Sequence, residues 1–487
     1  MKKQKEKLDV KLAGKVYTEK YVVDIILDLV GYTGGNIRKR HIIDNSCGDG
    51  AFLIEVVNRY CKQCVKENVS PLEIANELRE FIHGIETNPE ECNKCKNNLI
   101  NVACNYNIRN IDFDICCEDA LKSEHYNGKM DYVVGNPPYV RVHNLRNSSE
   151  SVKKMQFTKN GMTDLYIAFF EIGINMLNDS GRLAYITPNS YFNSIAGSQM
   201  RKVFIKEHYL EKILDFKHFQ LFQGASTYTT ITVLKKDKRS GYVDYFEFDD
   251  KLRRQKLVDS LSSDEFYISG NFYFSTRKNL NLLRQILLNF GTCNIQVKNG
   301  YATLCDNVFI GDFDFESSYI IPIIKSSRGI VKKIIYPYNE NSELIDENTL
   351  NKDEKLYLYL CRNKEVLENR DIDLSSGTPW YAFGRTQGIN DTFKNKFTVN
   401  TLIRDKRDLK IFHAPPGVGV YSGLYIMGDG LNIDKIKDLL ISQDFETYVS
   451  LLGKYKSGGY IEQTVLKDCY FNTKGRYIKV KGKRVYI

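Results

Sequence analysis

Two prolines stand directly behind a short apolar run, in Asp131-Tyr-Val-Val-Gly-Asn-Pro-Pro-Tyr139. Each proline removes a backbone donor and fixes φ, so neither a helix nor a central strand continues through them. Tyr132 to Val134 therefore reads as a short buried strand that stops at a rigid loop. His41 to Asp44, Phe81 to Ile85 and Ile115 to Cys117 read as earlier strands, and Arg182 to Ile186 as a later one. Helical patterns lie between them: Tyr21 to Val30, Ala51 to Tyr60, a helix from about Pro89, and Leu165 to Leu177. This alternation predicts an α/β domain on a mainly parallel sheet. Ligands of such sheets bind outside the carboxyl ends of the strands. The residues just after each strand are the ones to examine.

A chain of 487 residues has room for two or three domains. With 42% hydrophobic and 26% charged residues it is not a disordered, collagen-like or disulfide-scaffold chain. No long uncharged apolar stretch is present, and no apolar core follows the basic start. Neither a membrane span nor a secretory signal is expected, which points to the cytosol. The net charge of +9 is compatible with a polyanionic partner. Twelve cysteines are expected as reduced thiols. Cys61/Cys64 and Cys92/Cys95 have zinc-like spacing but fall within helical patterns, so no metal is expected. The polar break Lys235 to Gly241 is read as a boundary between residues 1–240 and an irregular α/β region, 241–487, with helices such as Leu356 to Asn369.

The strand ends carry chemistry. Asp44-Asn-Ser-Cys-Gly-Asp-Gly50 follows the first strand, and its glycines let a ligand approach the backbone. Glu86 ends the second strand, where a carboxylate can accept both hydroxyls of a ribose. Asp119 follows the third and can accept from the amino group of an adenine moiety. Asn136 to Tyr139 follows the fourth. Its loop offers acceptors and few donors: the Asn136 side-chain oxygen and the Pro137 carbonyl can hold the two hydrogens of an amino group. Tyr139 adds a flat ring on which a base can stack.

These motifs resemble those of the gamma class of DNA adenine-N6 methyltransferases, the Asn-Pro-Pro-Tyr methylases of type II restriction-modification systems. The likeness covers most of the chain. It implies a Rossmann-like methyltransferase domain followed by a mixed α/β target-recognition domain, and S-adenosyl-L-methionine as cofactor. By this likeness Tyr17 and Thr18, in Gly14-Lys-Val-Tyr-Thr18, contact the cofactor. So do Asp44, Ser46, Cys47, Gly48, Glu86, Thr87, Asp119, Ala120 and Asn136. Asn136, Pro137, Pro138 and Tyr139 are the catalytic residues. Phe222, in Phe222-Gln-Gly-Ala-Ser-Thr-Tyr228, is the favoured second stacking ring, with Tyr228 as the alternative. Arg141, Arg385 and Gln387 are candidate DNA contacts. Softer matches are Gly300 to Phe309, Trp380 to Gln387 and Ser457 to Tyr460.

The implied partners are double-stranded DNA and a separately encoded restriction endonuclease, with a monomeric enzyme in the cytoplasm near the nucleoid. The cofactor-like motifs begin at Gly14, so a fused nuclease ahead of them is not expected. The loop would also accept other planar NH2 groups: cytosine N4, an RNA base, or a glutamine amide in a protein. The long region after Gly241 favours DNA, and Asn136, where relatives acting on cytosine usually have Ser, favours adenine. Asn144 to Gly161, polar and poor in aliphatics, is expected to be a mobile loop that orders on DNA.

Overall fold

The computed structural model describes residues 18–142, 149–221, 228–237, 241–288, 295–370, 377–421 and 423–452, with further pieces between 455 and 486. It separates into two compact units, Met1–Leu280 and Asn281–Ile487.

The first unit is built on one nine-stranded sheet. Its strands are β1 (Ile42–Asp44), β2 (Ile82–Glu86), β3 (Asp114–Cys117), β4 (Met130–Gly135), β5 (Leu177–Pro188), β6 (Leu210–Asp215), β7 (Thr229–Lys235), β8 (Tyr242–Asp249) and β9 (Arg254–Ser262). Their order is β3-β2-β1-β4-β5-β7-β6-β8-β9. β1 to β5 are mutually parallel. β7 is antiparallel and lies between β5 and β6. β8 pairs with β6, and β9 closes the edge. Gly241 therefore sits between two strands of one sheet, and the compact unit runs on to Leu280. A polar turn inside a sheet looks the same in sequence as a linker.

Helices cover both faces. α1 (Lys20–Val30), α2 (Ala51–Lys66), α3 (Pro71–Phe81) and α4 (Pro89–Cys104) share a core with Ile42, Val134, Ala184 and Ile186. α5 (Leu165–Met176) packs on Leu183 and Tyr185, where Gly173 makes the closest approach. Neighbouring strand residues point to opposite faces, so α5 lies across the sheet from α1. α3 was not read from the sequence, although its start is a capped one: Ser70 accepts from the Glu73 amide and Pro71 opens the helix. The four thiols of the two C-x-x-C pairs are buried along α2 and α4 and, among the described residues, form no metal-ligand group.

The polar stretch after Asn144 is not all loop. Ser149–Lys154 is helical, Val152 and Phe157 are buried, and the Gln156 and Phe157 amides donate to Glu171 at 3.0 and 2.7 Å. Residues 144–148 lie outside the described residues.

The second unit is a set of small sheets. Gln296–Asn299, Leu424–Met427, Lys396–Val399 and Ile411–Ala414 form one. Ile310–Gly311, Ile330–Ile335, Ile320–Lys325 and Gly419–Tyr421 form another. Its core holds Tyr301, Tyr336, Phe383 and Trp380. Buried Arg370 ties segments together by donating to the carbonyls of Leu367, Thr303, Ala382 and Trp380. The single helix expected over 356–369 is two, Glu354–Arg362 and Lys364–Glu368, broken at Asn363.

Candidate active site

β1 to β4 run parallel, so the loops that follow them share one edge of the sheet. Asp44 closes β1. It is buried, and its Oδ1 accepts from the Ser46 amide at 3.0 Å. Burial raises its carboxyl to about 7, and Glu86 pushes in the same direction. Gly135, the last residue of β4, passes directly beside it. A Cβ on Gly135 would lie 2.7 Å from Asp44 Oδ1, so only glycine lets the two strand ends meet there.

The loop after β1 is fastened to the end of β2. The Cys47 amide donates to the Ile85 carbonyl at 2.9 Å, and the Gly48 amide to Glu86 Oε2 at 3.1 Å. Glu86 Oε1 accepts from the Asn88 amide (2.8 Å) and the Thr87 hydroxyl (3.2 Å). Three donors thus fix the direction of this carboxylate. Gly48 has φ +54°, and nothing lies within 4 Å of the place a Cβ would take. The backbone there is open to a ligand. Asp119 Oδ1 holds its own turn through the Leu121 amide at 3.0 Å, with Ala120 buried beside it.

The loop after β4 is rigid for reasons beyond its prolines. Asn136 Nδ2 donates to Thr18 Oγ1 at 3.1 Å, which sets the orientation of the carboxamide. The Tyr139 hydroxyl donates to the Ile186 carbonyl of β5 at 3.0 Å, and its ring meets Tyr166 edge-on at 6.4 Å. The outgoing chain pairs with the start of α5: Val142 N donates to Thr163 O (3.0 Å), and Leu165 N to Val140 O (2.8 Å). Pro137 is buried and Pro138 half-buried.

Thr18, Asp44, Ser46, Cys47, Gly48, Glu86, Thr87, Asp119, Ala120 and Asn136 to Tyr139 all lie in the first unit, on the strand-end loops or at the start of α1. Arg141 is exposed, and its backbone bridges to Asp164. The Asn189 amide donates to the Tyr228 carbonyl at 2.9 Å, which places Tyr228 at the end of β5. Tyr17 and Phe222 lie outside the described residues. Arg385 and Gln387 belong to the second unit, exposed on a turn anchored through Ala302. Of the softer matches there, Gly300–Phe309 and Trp380–Gln387 meet: Tyr301 and Phe383 stack at 5.2 Å.

Sequence reading missed two parts of the site. Asn45 is a buried brace whose Oδ1 accepts from the Tyr185 hydroxyl at 2.8 Å, joining the loop after β1 to β5. Its only signal in the sequence is a second polar residue, behind Asp44, where an apolar run ends. The other is the Ile186 carbonyl that pins Tyr139, which no side-chain pattern reveals.

Residues 51–222 match the family model of the Eco57I restriction-modification methylase. Over that span the chain is similar to an Eco57I-type restriction-modification methylase domain. The type II methyltransferase M.BstVI of Geobacillus stearothermophilus is 26% identical over 76% of this chain and 74% of its own length. M.PaeR7I of Pseudomonas aeruginosa is 22% identical over 76% of this chain and 70% of its own. The solved restriction-modification enzyme MmeI in complex with DNA superposes with a TM-score of 0.58 at 12% identity, over 87% of this chain and 60% of that one. A nuclease-deletion mutant of LlaGI with a DNA substrate mimic gives 0.56 at 14% identity, over 94% and 46%. The chain thus spans well under two thirds of those solved chains, and at these identities the likeness shows the fold. The cofactor implied by the methylase family is S-adenosylmethionine. The methylase domain fits it: Gly48 leaves open backbone, and carboxylates follow three successive strands. The buried Asp44 carboxyl, with no cation among the groups that shift it, suits a ligand that carries positive charge.

Proposed function

We propose that this chain is a site-specific DNA methyltransferase that moves a methyl group from S-adenosylmethionine to the N6 amino group of an adenine turned out of the duplex. The observation that carries this reading is the braced loop Asn136 to Tyr139 at the end of β4, with its carboxamide oriented by Thr18 and its ring pinned to Ile186.

When bound, S-adenosylmethionine supplies an electrophilic methyl group on a sulfonium. Glu86 accepts from its ribose hydroxyls and Asp119 from its adenine amino group. Asn136 Oδ1 and the Pro137 carbonyl accept the two hydrogens of the target amino group. This turns the nitrogen lone pair away from the ring. The nitrogen would take the methyl as its bond to the sulfonium breaks and the thioether leaves, and would release one proton to solvent. Tyr139 holds the base flat from one side, and Phe222 or Tyr228 closes the other. The chain's own contribution is positioning and fixed acceptors, which act without reorganising. Turning a base out costs a few kcal/mol, which contacts to the phosphate backbone would offset. Arg141, Arg385 and Gln387 are assigned to such contacts, and the second unit to reading sequence. The solved DNA complexes of MmeI and LlaGI support duplex DNA as the partner. The reading extends to a monomeric enzyme whose counterpart is a separately encoded restriction endonuclease.

The test is single-molecule sequencing of DNA from a methylation-free host that expresses this chain. N6-methyladenine at one short motif is the expected result. N4-methylcytosine would keep the loop chemistry and overturn the base. Unmodified DNA, alongside a folded protein that binds S-adenosylmethionine, would overturn DNA as the substrate.

A further inference from the structure

Two of the most exposed apolar side chains in the first unit stand on adjoining loops. Met162 is 75% exposed and Ile195 76%. Exposed apolar side chains mark an interaction site when they stand together and not singly. The two loops are held together. Asn160 Nδ2 donates to Ser198 Oγ at 3.1 Å, and a Cβ on Gly161 would lie 3.4 Å from Ile195 Cγ2. The tips are therefore presented on a braced support.

Their place in the fold points to the partner. Met162 precedes Thr163, whose carbonyl accepts from Val142, on the segment leaving Asn136 to Tyr139. Through the pairing of Val142 with Thr163 and of Leu165 with Val140, at ~3.3 Å per extended residue, Met162 stands roughly 10–14 Å from the level of Tyr139. Exposed cations stand on the same two segments: Lys153, Lys154 and Lys159 on that of Met162, and Arg141 on the paired one. From Val152 to Thr163 the segment contains no acid. An apolar tip in a cationic rim matches the base stack and phosphates of a duplex, and suits an oily protein partner poorly.

We propose that Met162 and Ile195 form a wedge that enters the base stack and holds open the gap left by the flipped base. Apolar side chains inserted between base steps unstack them and are used this way by duplex-bending proteins. Met162 and Ile195 are positioning residues: they act on the duplex and leave the reacting atoms to Asn136. The inference rests on the proposed base-flipping methyltransferase activity.

The test uses the full chain with Met162→Ala, Ile195→Ala and both together, on duplexes carrying the motif found by sequencing. Both sites are exposed, so folding should be little changed. One duplex pairs the target adenine normally, and a second sets it opposite an abasic position, where little pairing must be broken. The double variant should lose about tenfold or more in single-turnover methylation of the paired duplex, and less than about threefold on the abasic one. Met162→Leu with Ile195→Val should recover most of the loss. Fluorescence of 2-aminopurine at the target position should rise less on binding of the double variant, with S-adenosylmethionine affinity unchanged. Equal loss on both duplexes, or no loss, would overturn the wedge while wild-type methylation leaves the parent reading standing. A wild type that methylates no duplex would overturn both.

Discussion

Two buried aspartates, one in each unit, are treated in opposite ways. Asp391 in the second unit accepts from Lys298 and the Tyr425 hydroxyl, each at 2.8 Å, and from Lys394 at 3.0 Å. These partners overcome burial and hold its carboxyl below the usual range. Its neighbour Lys396 is also given hydrogen-bond partners, although there burial outweighs them. Buried Lys396 donates to three backbone carbonyls, and burial brings its amine down to about 8. Asp44 has the Ser46 amide and, among the described residues, no such cation, and its carboxyl is pushed up to about 7. Burying a charge without a partner is costly. The second unit meets that cost from within. The strand edge of the first leaves it open, as sites that await a ligand do.

The largest effect that would sharpen this contrast is at the reacting loop. Asn136→Ala should lower turnover by about a thousandfold or more, through loss of a fixed acceptor, while calorimetry still shows S-adenosylmethionine binding. A fully active variant would break the functional reading of that edge. Asp391→Ala should destabilise the second unit by about 3 kcal/mol, since it strands two lysines and a buried hydroxyl. Denaturant unfolding would show it, and a change below about 0.5 kcal/mol would mean the partners repair themselves. Gly135→Ala should cost about 2 kcal/mol and weaken cofactor binding, because the new methyl lands on Asp44. An unaffected protein would mean that β1 and β4 can separate.

The contrast also shows in pH. The folded pKa of Asp44 lies above its unfolded value of about 3.9. Its contribution to stability is therefore full below that value and is lost as pH rises to about 7. Asp391 has the opposite sign: its contribution is present at neutral pH and is lost as pH falls below the ordinary carboxylate range. Asp44→Asn should remove a loss of roughly 4 kcal/mol between pH 4 and 8, read from melting curves across that range. An unchanged slope would show that another group sets it.

Much of the first unit is legible because short buried strands and amphipathic helices have distinct periods. The strands at Ile42, Ile82, Asp114 and Met130 begin within two residues of the expected places. The acids and the Asn-Pro-Pro-Tyr loop follow them in register. β6 and β7 were not foreseen, since an antiparallel return leaves no special mark. Nor was the continuation of the sheet into β8 and β9, because Lys235 to Gly241 has the composition of a linker. The second unit is harder to read still. Its strands are short and its core is held by contacts such as Arg370 on the carbonyl of Thr303, 67 residues away, which no local pattern encodes.

By itself the sequence determined which chemistry stands at which strand end. Proline geometry, strand alternation and side-chain type are local properties, and they carry through any packing consistent with the fold. Tertiary structure alone decided how that chemistry is held. The Thr18 hydroxyl turns the Asn136 carboxamide, Ile186 anchors Tyr139, and Gly135 presses on an Asp44 that lacks a cation. Each of these joins residues far apart in the chain. Their energies exist only once the sheet has brought the strand ends together.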